Sequence, residues 1–264
     1  MTSVARAFGM RRIAYVLGLP VVLFGIWFLA SAGSENFYAP PLRQILRSFA
    51  DTWTLERLDA DVLPSLLRLL AGYAIAGVLG VAVGVTIGLN RRVRATVEPV
   101  LEFFRAVPPP VLVPVIMLFA GIGDGMKIIV IAFGCVWPIL LNTVEGVRAV
   151  DSVQLDTAKA YGIGGPARIS RVVLPAASPQ IAAGLRQALS IAIILMVISE
   201  MFASSNGLGF TIVQFQRSFA IPEMWSGIIL LGLLGFALSV LFRLVERRAL
   251  GWYHGLREAQ RKGS

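Results

Sequence analysis

Long apolar stretches set the pattern of this chain. Windows free of charge run Ile13–Ser34, Leu69–Leu89, Ala106–Gly123, Ile128–Val144, Gln187–Ser199 and Met224–Phe242. Roughly 20 mostly apolar residues make a helix long enough to cross a bilayer. The fourth and fifth windows are short, and each lengthens by passing a single charge: Glu145 in the fourth, Arg186 or Glu200 in the fifth. The pattern predicts an all-α, polytopic membrane protein with about six transmembrane helices. It reads as a single transmembrane domain over 1–264, with an N-terminal segment 1–12, a membrane core 13–247 that includes a polar loop over 151–180, and a basic tail 248–264.

The first window has a competing reading. MTSVARAFGMRR is a basic leader, and Ala30-Ser31-Ala32 resembles a cleavage site. A signal peptide has an apolar core of about 7–15 residues. This one is longer, so a retained first helix is expected.

Composition agrees with the membrane reading. The chain has 264 residues, of which 56% are hydrophobic and 15% charged. Soluble domains average about 45–50% apolar and about 25% charged. Net charge is +9, which would suit nucleic acid if the cations formed one patch. They do not. With the N-terminus inside, seventeen of the 24 cations fall on inner segments and five on outer ones (Arg43, Arg47, Arg57, Lys127 and Arg217), with Arg68 and Arg105 within or beside helices. Cations collect on the cytoplasmic side, so both termini are expected there, and no nucleic-acid partner is expected. Cys135 is the only cysteine and His254 the only histidine. No intramolecular disulfide and no cysteine–histidine metal cluster can form from that set. A catalytic site would need a nucleophile–base pair or a metal, and neither is visible; the chain reads as a non-enzyme with no metal.

Several residues inside the spans carry possible function. Gly80, Gly84 and Gly88 recur every fourth residue, giving a smooth stripe for close helix contact, either within the bundle or at a subunit interface. Pro108, Pro109, Pro110 and Pro114 interrupt the third window, because proline lacks a backbone donor. Broken backbone at membrane depth is tolerated where it is buried in protein or lines a watery cavity. Arg105 and Glu102 flank this break, so Arg105 either faces a pathway or snorkels to the headgroups. Trp137 and Pro138 are expected to break the fourth window similarly, with Asn142 one turn later, lining a path or bonding a neighbouring helix. Glu200 ends the apolar part of the fifth window. It either faces a cavity, pairs with a cation, or sits in the outer interface. Asn206, Gly207 and Gly209 follow as a turn. The segment before the second window, SENFYAPPLRQILRSFADTWTLERLDADVLP, is expected along the outer surface.

The polar loop is the most informative stretch: DTAKAYGIGGPARISRVVLP, residues 156–175. Asp156 suits a helix N-cap or first turn. Gly162 suits the positive-φ position after a helix, and Pro166 the first turn of the next one. Ile169, Val172 and Val173 make an apolar stripe, while Arg168 and Arg171 face elsewhere. Leu174-Pro175 marks the exit to the next span. A helix–turn–helix projection with a small apolar face and a basic rim is a shape that docks into a groove on another protein.

The spacing Asp156-Thr157-Ala158, three residues, Gly162, nine residues, Val172-Val173-Leu174-Pro175 resembles the EAA loop of ABC importer permeases. The family pattern has Glu, Ala and Ile where this chain has Asp156, Thr157 and Val172. The segments RAVPPPVLVPVIMLFAGIGDGMKI, WPILLNTVEGVRAVD and SEMFASSNGLGF look like the nitrate/sulfonate/taurine branch. The resemblance implies a permease subunit whose Asp156, Thr157, Ala158, Gly162, Val172, Leu174 and Pro175 couple it to a separate ATP-binding dimer. It also implies a second permease copy, an extracytoplasmic solute-binding protein, a bacterial inner-membrane location and an anionic solute such as a sulfonate, taurine or nitrate. ATP and Mg would sit on the partner; no cofactor is expected on this chain, which has no G-x-x-x-x-G-K-[ST] loop, and GIGDGMKI lacks that spacing. The competing class is a gradient-driven secondary transporter, which would show internal repeats and ionisable midplane residues.

Overall fold

The computed structural model describes residues 18–202, 204–253 and 255. Helices dominate, and no strand occurs among the described residues. In chain order they are α1 (Gly18–Ser31), α2 (Leu42–Thr52), α3 (Leu55–Leu89), α4 (Arg91–Ala106), α5 (Pro109–Ala120), α6 (Asp124–Arg148), α7 (Ser152–Ala160), α8 (Gly165–Phe202), α9 (Leu208–Arg217) and α10 (Ile221–Ala249).

Four of these helices, α3, α6, α8 and α10, are long and apolar enough to cross a membrane. They contain four of the six apolar windows. The count reaches five if α4 and α5 together form one broken span, because they meet at 84°. The window Ala106–Gly123 is therefore not a straight helix. Pro108 is extended (φ −65°, ψ 118°), and Pro109–Leu112 is a 3-10 turn before the two-turn helix Val113–Ala120. At roughly 18 Å, α5 is too short to cross an apolar layer about 30 Å thick. Residues 18–31 of the first window form α1; residues 13–17, and the 1–12 segment, lie outside the described residues.

The described residues divide into two compact units: those up to Leu58 with Thr211–Leu230, and those of Asp59–Phe210 with the ones from Leu231 on. In the first, α2 is amphipathic and buries Leu42 and Ile45. Ser31 Oγ accepts from Leu42 N at 3.0 Å, and Trp53 Nε1 donates to Ser226 Oγ at 3.0 Å. Arg57 lies 5.2 Å over the Phe215 ring, a cation–π contact.

In the second unit, α6 packs between α3 and α8. The contact with α3 follows the small-residue stripe, which also includes Gly72. A Cβ on Gly72, Gly80, Gly84 or Gly88 would lie 2.6–2.8 Å from Ile131, Ile139, Thr143 or Val147. Both series step by four, so two i±4 ridges lie along each other. On the other side of α6, Gly146 faces Ala177 and Gln180 of α8, and Gly184 of α8 faces Pro138 and Asn142. Leu69, Met126, Ile131, Ile139 and Leu195 fill the core. Helix α6 runs unbroken through Trp137 and Pro138, contrary to the expected break. Proline deletes one hydrogen bond, and packing on both sides holds the helix across that turn.

Helices α3 and α8 each carry a π turn, Leu58–Val62 and Ile169–Val173. Each lies immediately upstream of a proline pair partner, Leu63-Pro64 and Leu174-Pro175. A π turn shifts the hydrogen-bond register where the proline cannot donate. Leu174-Pro175 is thus not an exit from one helix into another: α8 is continuous from Gly165 to Phe202, roughly 57 Å. Pro179 leaves the Pro175 carbonyl without its backbone donor, and Ser178 Oγ donates to it at 2.7 Å.

Candidate functional site

The loop begins at Asp151, not Asp156. Asp151 is the N-cap of α7, and its carboxylate accepts from Val153 N at 2.8 Å. Asp156 lies mid-helix, exposed, paired with Lys159 at 3.1 Å. The cap falls five residues earlier because Asp151-Ser152 offers the first acceptor ahead of the helical run. The helix ends where the sequence indicates. Gly162 has φ +72°, Ile163 N donates to Ala158 O at 2.8 Å and Gly162 N to Lys159 O at 2.9 Å. These bonds close the last carbonyls in the Schellman manner. Gly165 has φ +53°, so two glycines of this turn are conformationally required. Pro166 then sits in the first turn of α8.

The two loop helices close over a small core of Val173, Ala177, Val147 and Val85, with Leu155, Ile169 and Leu174 packed against it. Above this core lies a groove of about 460 Å³. Thr157, Ala158, Val172 and Pro175 line it, with Tyr161, Ile163, Arg171 and Trp252. Four of the seven coupling candidates therefore share one concave surface. Gly162 sets its turn, Leu174 lies beneath it and Asp156 stands outside it. Trp252, from the segment after α10, carried no sequence signal that linked it to the loop.

The pathway candidates fall into two groups. Around the α4–α5 bend, Phe104 stacks on Trp137 with centroids 5.3 Å apart and planes 4° from parallel, and Phe133 meets both edge-on. Trp137 Nε1 is buried with no hydrogen-bond partner among the described residues. Pro109 packs on Gly134. Arg105 is exposed and pairs with Glu102 at 2.7 Å. Asn142 donates to Pro138 O and Gln187 Oε1 and accepts from Gln180 Nε2, so it ties α6 to α8.

Glu200 belongs elsewhere. It is fully buried at the opposite end of α8 from the loop. Arg68 Nη1 donates to Glu200 Oε1 at 2.7 Å, Ser65 Oγ contacts both carboxylate oxygens at 2.8 and 2.9 Å, and Gly209 N donates at 3.0 Å. Arg68 also meets Asp124 Oδ1 through Nε at 2.8 Å, the Asn206 carbonyl at 3.3 Å and Asn206 Oδ1 at 2.6 Å. Gly207 turns the chain at φ +113°, and Gly209 lies in the first turn of α9 rather than in the turn itself. Arg68, Ser65, Asp124 and Asn206 were missed as partners. Their signal was Arg68 and Ser65 inside the run LPSLLRLLAGY, since an ionisable residue in an apolar helix faces an interior partner. Trp137 is more than three turns along α6 from Asp124, so the candidates do not form one pocket. Among the described residues no cluster of histidine, cysteine and carboxylate could hold a metal.

Comparison with known proteins fits this architecture. Residues 76–251 match the family model for the binding-protein-dependent transport system inner membrane component. The chain is 28% identical to the taurine transport system permease protein of Escherichia coli (strain K12), covering 92% of this chain and 91% of that one. It is 31% identical to the bicarbonate transport system permease protein of Synechococcus elongatus, covering 77% and 74%. A chain of the MetNI methionine ABC transporter, in an inward-facing conformation, superposes with TM-score 0.62 at 20% identity, covering 74% of this chain and 97% of that one. A multi-pass helical chain with this match over most of its length is an ABC importer permease, and it belongs to the family of binding-protein-dependent transport system inner membrane components.

Proposed function

We propose that this chain forms half of the solute path of an ATP-driven importer and is moved by a separate ATP-binding dimer that docks on the loop 156–175. The observation that supports it most is α8. One helix starts in the loop groove and continues without interruption into the membrane core. A force applied at Pro175 therefore acts on the whole helix rather than on a hinge. In this reading the 151–180 region and both termini, 1–12 and 248–264, face the cytoplasm, as the cation distribution favours, and about six helices span the membrane. A second copy of the chain completes the path, and an extracytoplasmic binding protein delivers solute to the far mouth. ATP and Mg stay on the partner.

The solute in this reading is a small organic or inorganic anion such as a sulfonate, taurine or nitrate. Support comes from the taurine and bicarbonate permeases among its relatives. No observation favours a gradient-driven alternative. The direct test is purification of the tagged chain from its own membrane in mild detergent, with the loop intact and with 156–175 scrambled. A P-loop ATPase that co-purifies only with the intact loop is the expected result. Absence of any ATPase from the intact complex overturns the reading.

A further inference from the structure

Beside the Arg68–Glu200 pair lies a second, polar cavity of about 710 Å³, lined by Arg68, Gly123, Asp124, Lys127, Ser204 and Asn206 among others. That volume suits a small organic molecule with some water. Lys127 is the unusual member. Its side chain is 4% exposed, yet its nearest carboxylate oxygen, Asp124 Oδ1, stands at 3.6 Å. An ammonium has three donors, and one is spent, on Ser204 Oγ at 2.9 Å. Asp124 balances its charge only at that longer ion-pair distance, because Oδ1 is shared with Arg68 Nε and Nη2, both at 2.8 Å. Arg68 in turn is committed: Glu200, Asp124 and Asn206 take its donors. Glu200 is fully buried and balances Arg68. The cation with donors to spare is Lys127. Beside it, Asn206 turns Oδ1 towards Arg68, which leaves its amide N–H groups for something else, and the Ser205 hydroxyl is exposed at the rim.

We propose that this cavity is an oxyanion-binding site, with Lys127 Nζ as the charged anchor and the Asn206 amide and Ser205 hydroxyl as neutral donors. The ligand class is a compact oxyanion headgroup, of which a sulfonate is the type, on a short chain. A buried ammonium with unspent donors costs free energy unless an acceptor reaches it, and a sulfonate supplies three acceptor oxygens to charge-assisted bonds. The site stands at the end of α8 opposite the loop, so a solute held here touches, through Asn206 and Arg68, the helix end that the loop would move. The proposal rests on the reading of the chain as an importer of small anions and names the place where that solute is held.

The experiment is equilibrium binding of taurine and methanesulfonate to the full chain in lipid nanodiscs, paired with ATP-driven uptake in vesicles that contain the whole importer. Wild type is expected to bind at least one probe saturably. Lys127→Gln is expected to weaken it about tenfold or more, since it deletes a charge-assisted bond, and Lys127→Arg to keep most of the affinity. Thermal unfolding of each variant identifies any that fails to fold, and Ser205→Ala, at the exposed rim, gives a second readout with an expected loss of a few fold. Uptake of a sulfonate by wild type with binding indifferent to Lys127→Gln overturns this site and leaves the importer reading intact. Lys127-dependent binding without uptake supports the site and overturns the solute assignment. Failure of wild type to bind either probe overturns the site outright.

Discussion

The two ends of α8 use polar residues in opposite ways. At the loop end, Asp156 and Lys159 pair in the open, 72% and 62% exposed. The backbone there is closed by glycines rather than by side chains from elsewhere. At the far end, Glu200 is fully buried and receives bonds from α3 and from the chain that enters α9. An exposed pair gains little because water competes for both partners and salt screens them. A buried carboxylate has no such alternative, so every bond it makes is obligatory. One end leaves its charges in the open, and the other uses them to hold this chain's own helices together.

The largest effect should come from the buried end. Arg68→Ala leaves Glu200 without its cation, and the expected cost is about 3–5 kcal/mol. In a detergent-solubilised chain this should appear as a collapse of the thermal transition and of the yield of folded protein. Arg68→Lys should recover only part of the loss, because one ammonium cannot reach Glu200, Asp124 and Asn206 together. A folded Arg68→Ala chain of wild-type stability would mean that the network is ornamental.

Next in size is the helix seam between the two ends. Gly84→Ala puts a Cβ 2.6 Å from Thr143 Cβ, with the Leu140 carbonyl at 2.9 Å. The helices must part, at a cost of about 1–3 kcal/mol, read as a lowered melting temperature. Gly77→Ala is the control. Its Cβ would meet the flexible end of Leu185 at 3.7 Å, so stability should stay level or rise slightly through the better helix propensity of alanine.

How far the sequence reached also differs between the ends. The loop was largely readable because its signals are local: Gly162 just past a helix, Pro166 just inside one, and an apolar stripe at helical spacing. Even there Asp151 took the cap expected of Asp156, since two acidic residues five apart both satisfy the pattern. The glycine stripe was readable too, although the pattern alone did not say whether it met α6 or another subunit. The buried network was not readable. Arg68 and Glu200 are 132 residues apart, and whether they meet depends on the rotation of two helices about their axes, which hydropathy does not encode. The bend of α4 against α5 lay between these cases. The prolines announced a break, but a window average counts Ala106–Gly123 as one apolar run regardless of direction.

A smaller structural effect carries the sharpest functional consequence. Gly162→Val places a β-branched residue at φ +72°, where L side chains are strained. Nothing lies within 4 Å of a Cβ there, so the cost is confined to the turn, about 1–2 kcal/mol. Relief comes by re-aiming α7 relative to α8, which opens the groove. Uptake should then fall sharply in vesicles while the melting temperature moves by only a few degrees and the ATPase keeps turning over. Normal uptake by this variant would show that the turn does not aim the loop.

The smallest stability change separates the two ends most cleanly. Asp156→Ala removes a carboxylate, as Glu200→Ala would, but its partner Lys159 is already hydrated. The expected cost is about 0.3–0.5 kcal/mol, near the limit of a melting experiment. Deleting one charge at each end of the same helix should thus differ about tenfold in free energy, and the ratio measures burial rather than charge. The functional ratio should run the other way. Asp156 is exposed outside the groove, and under the proposed docking its truncation would leave a donor of the partner unpaired. The amount of ATP-binding subunit co-purified with Asp156→Ala should drop, and raising the salt concentration should lower wild type towards the variant. If stability and co-purification are both untouched, the docking contact is made by the uncharged groove residues Thr157, Val172 and Pro175, and Asp156 takes no part in it.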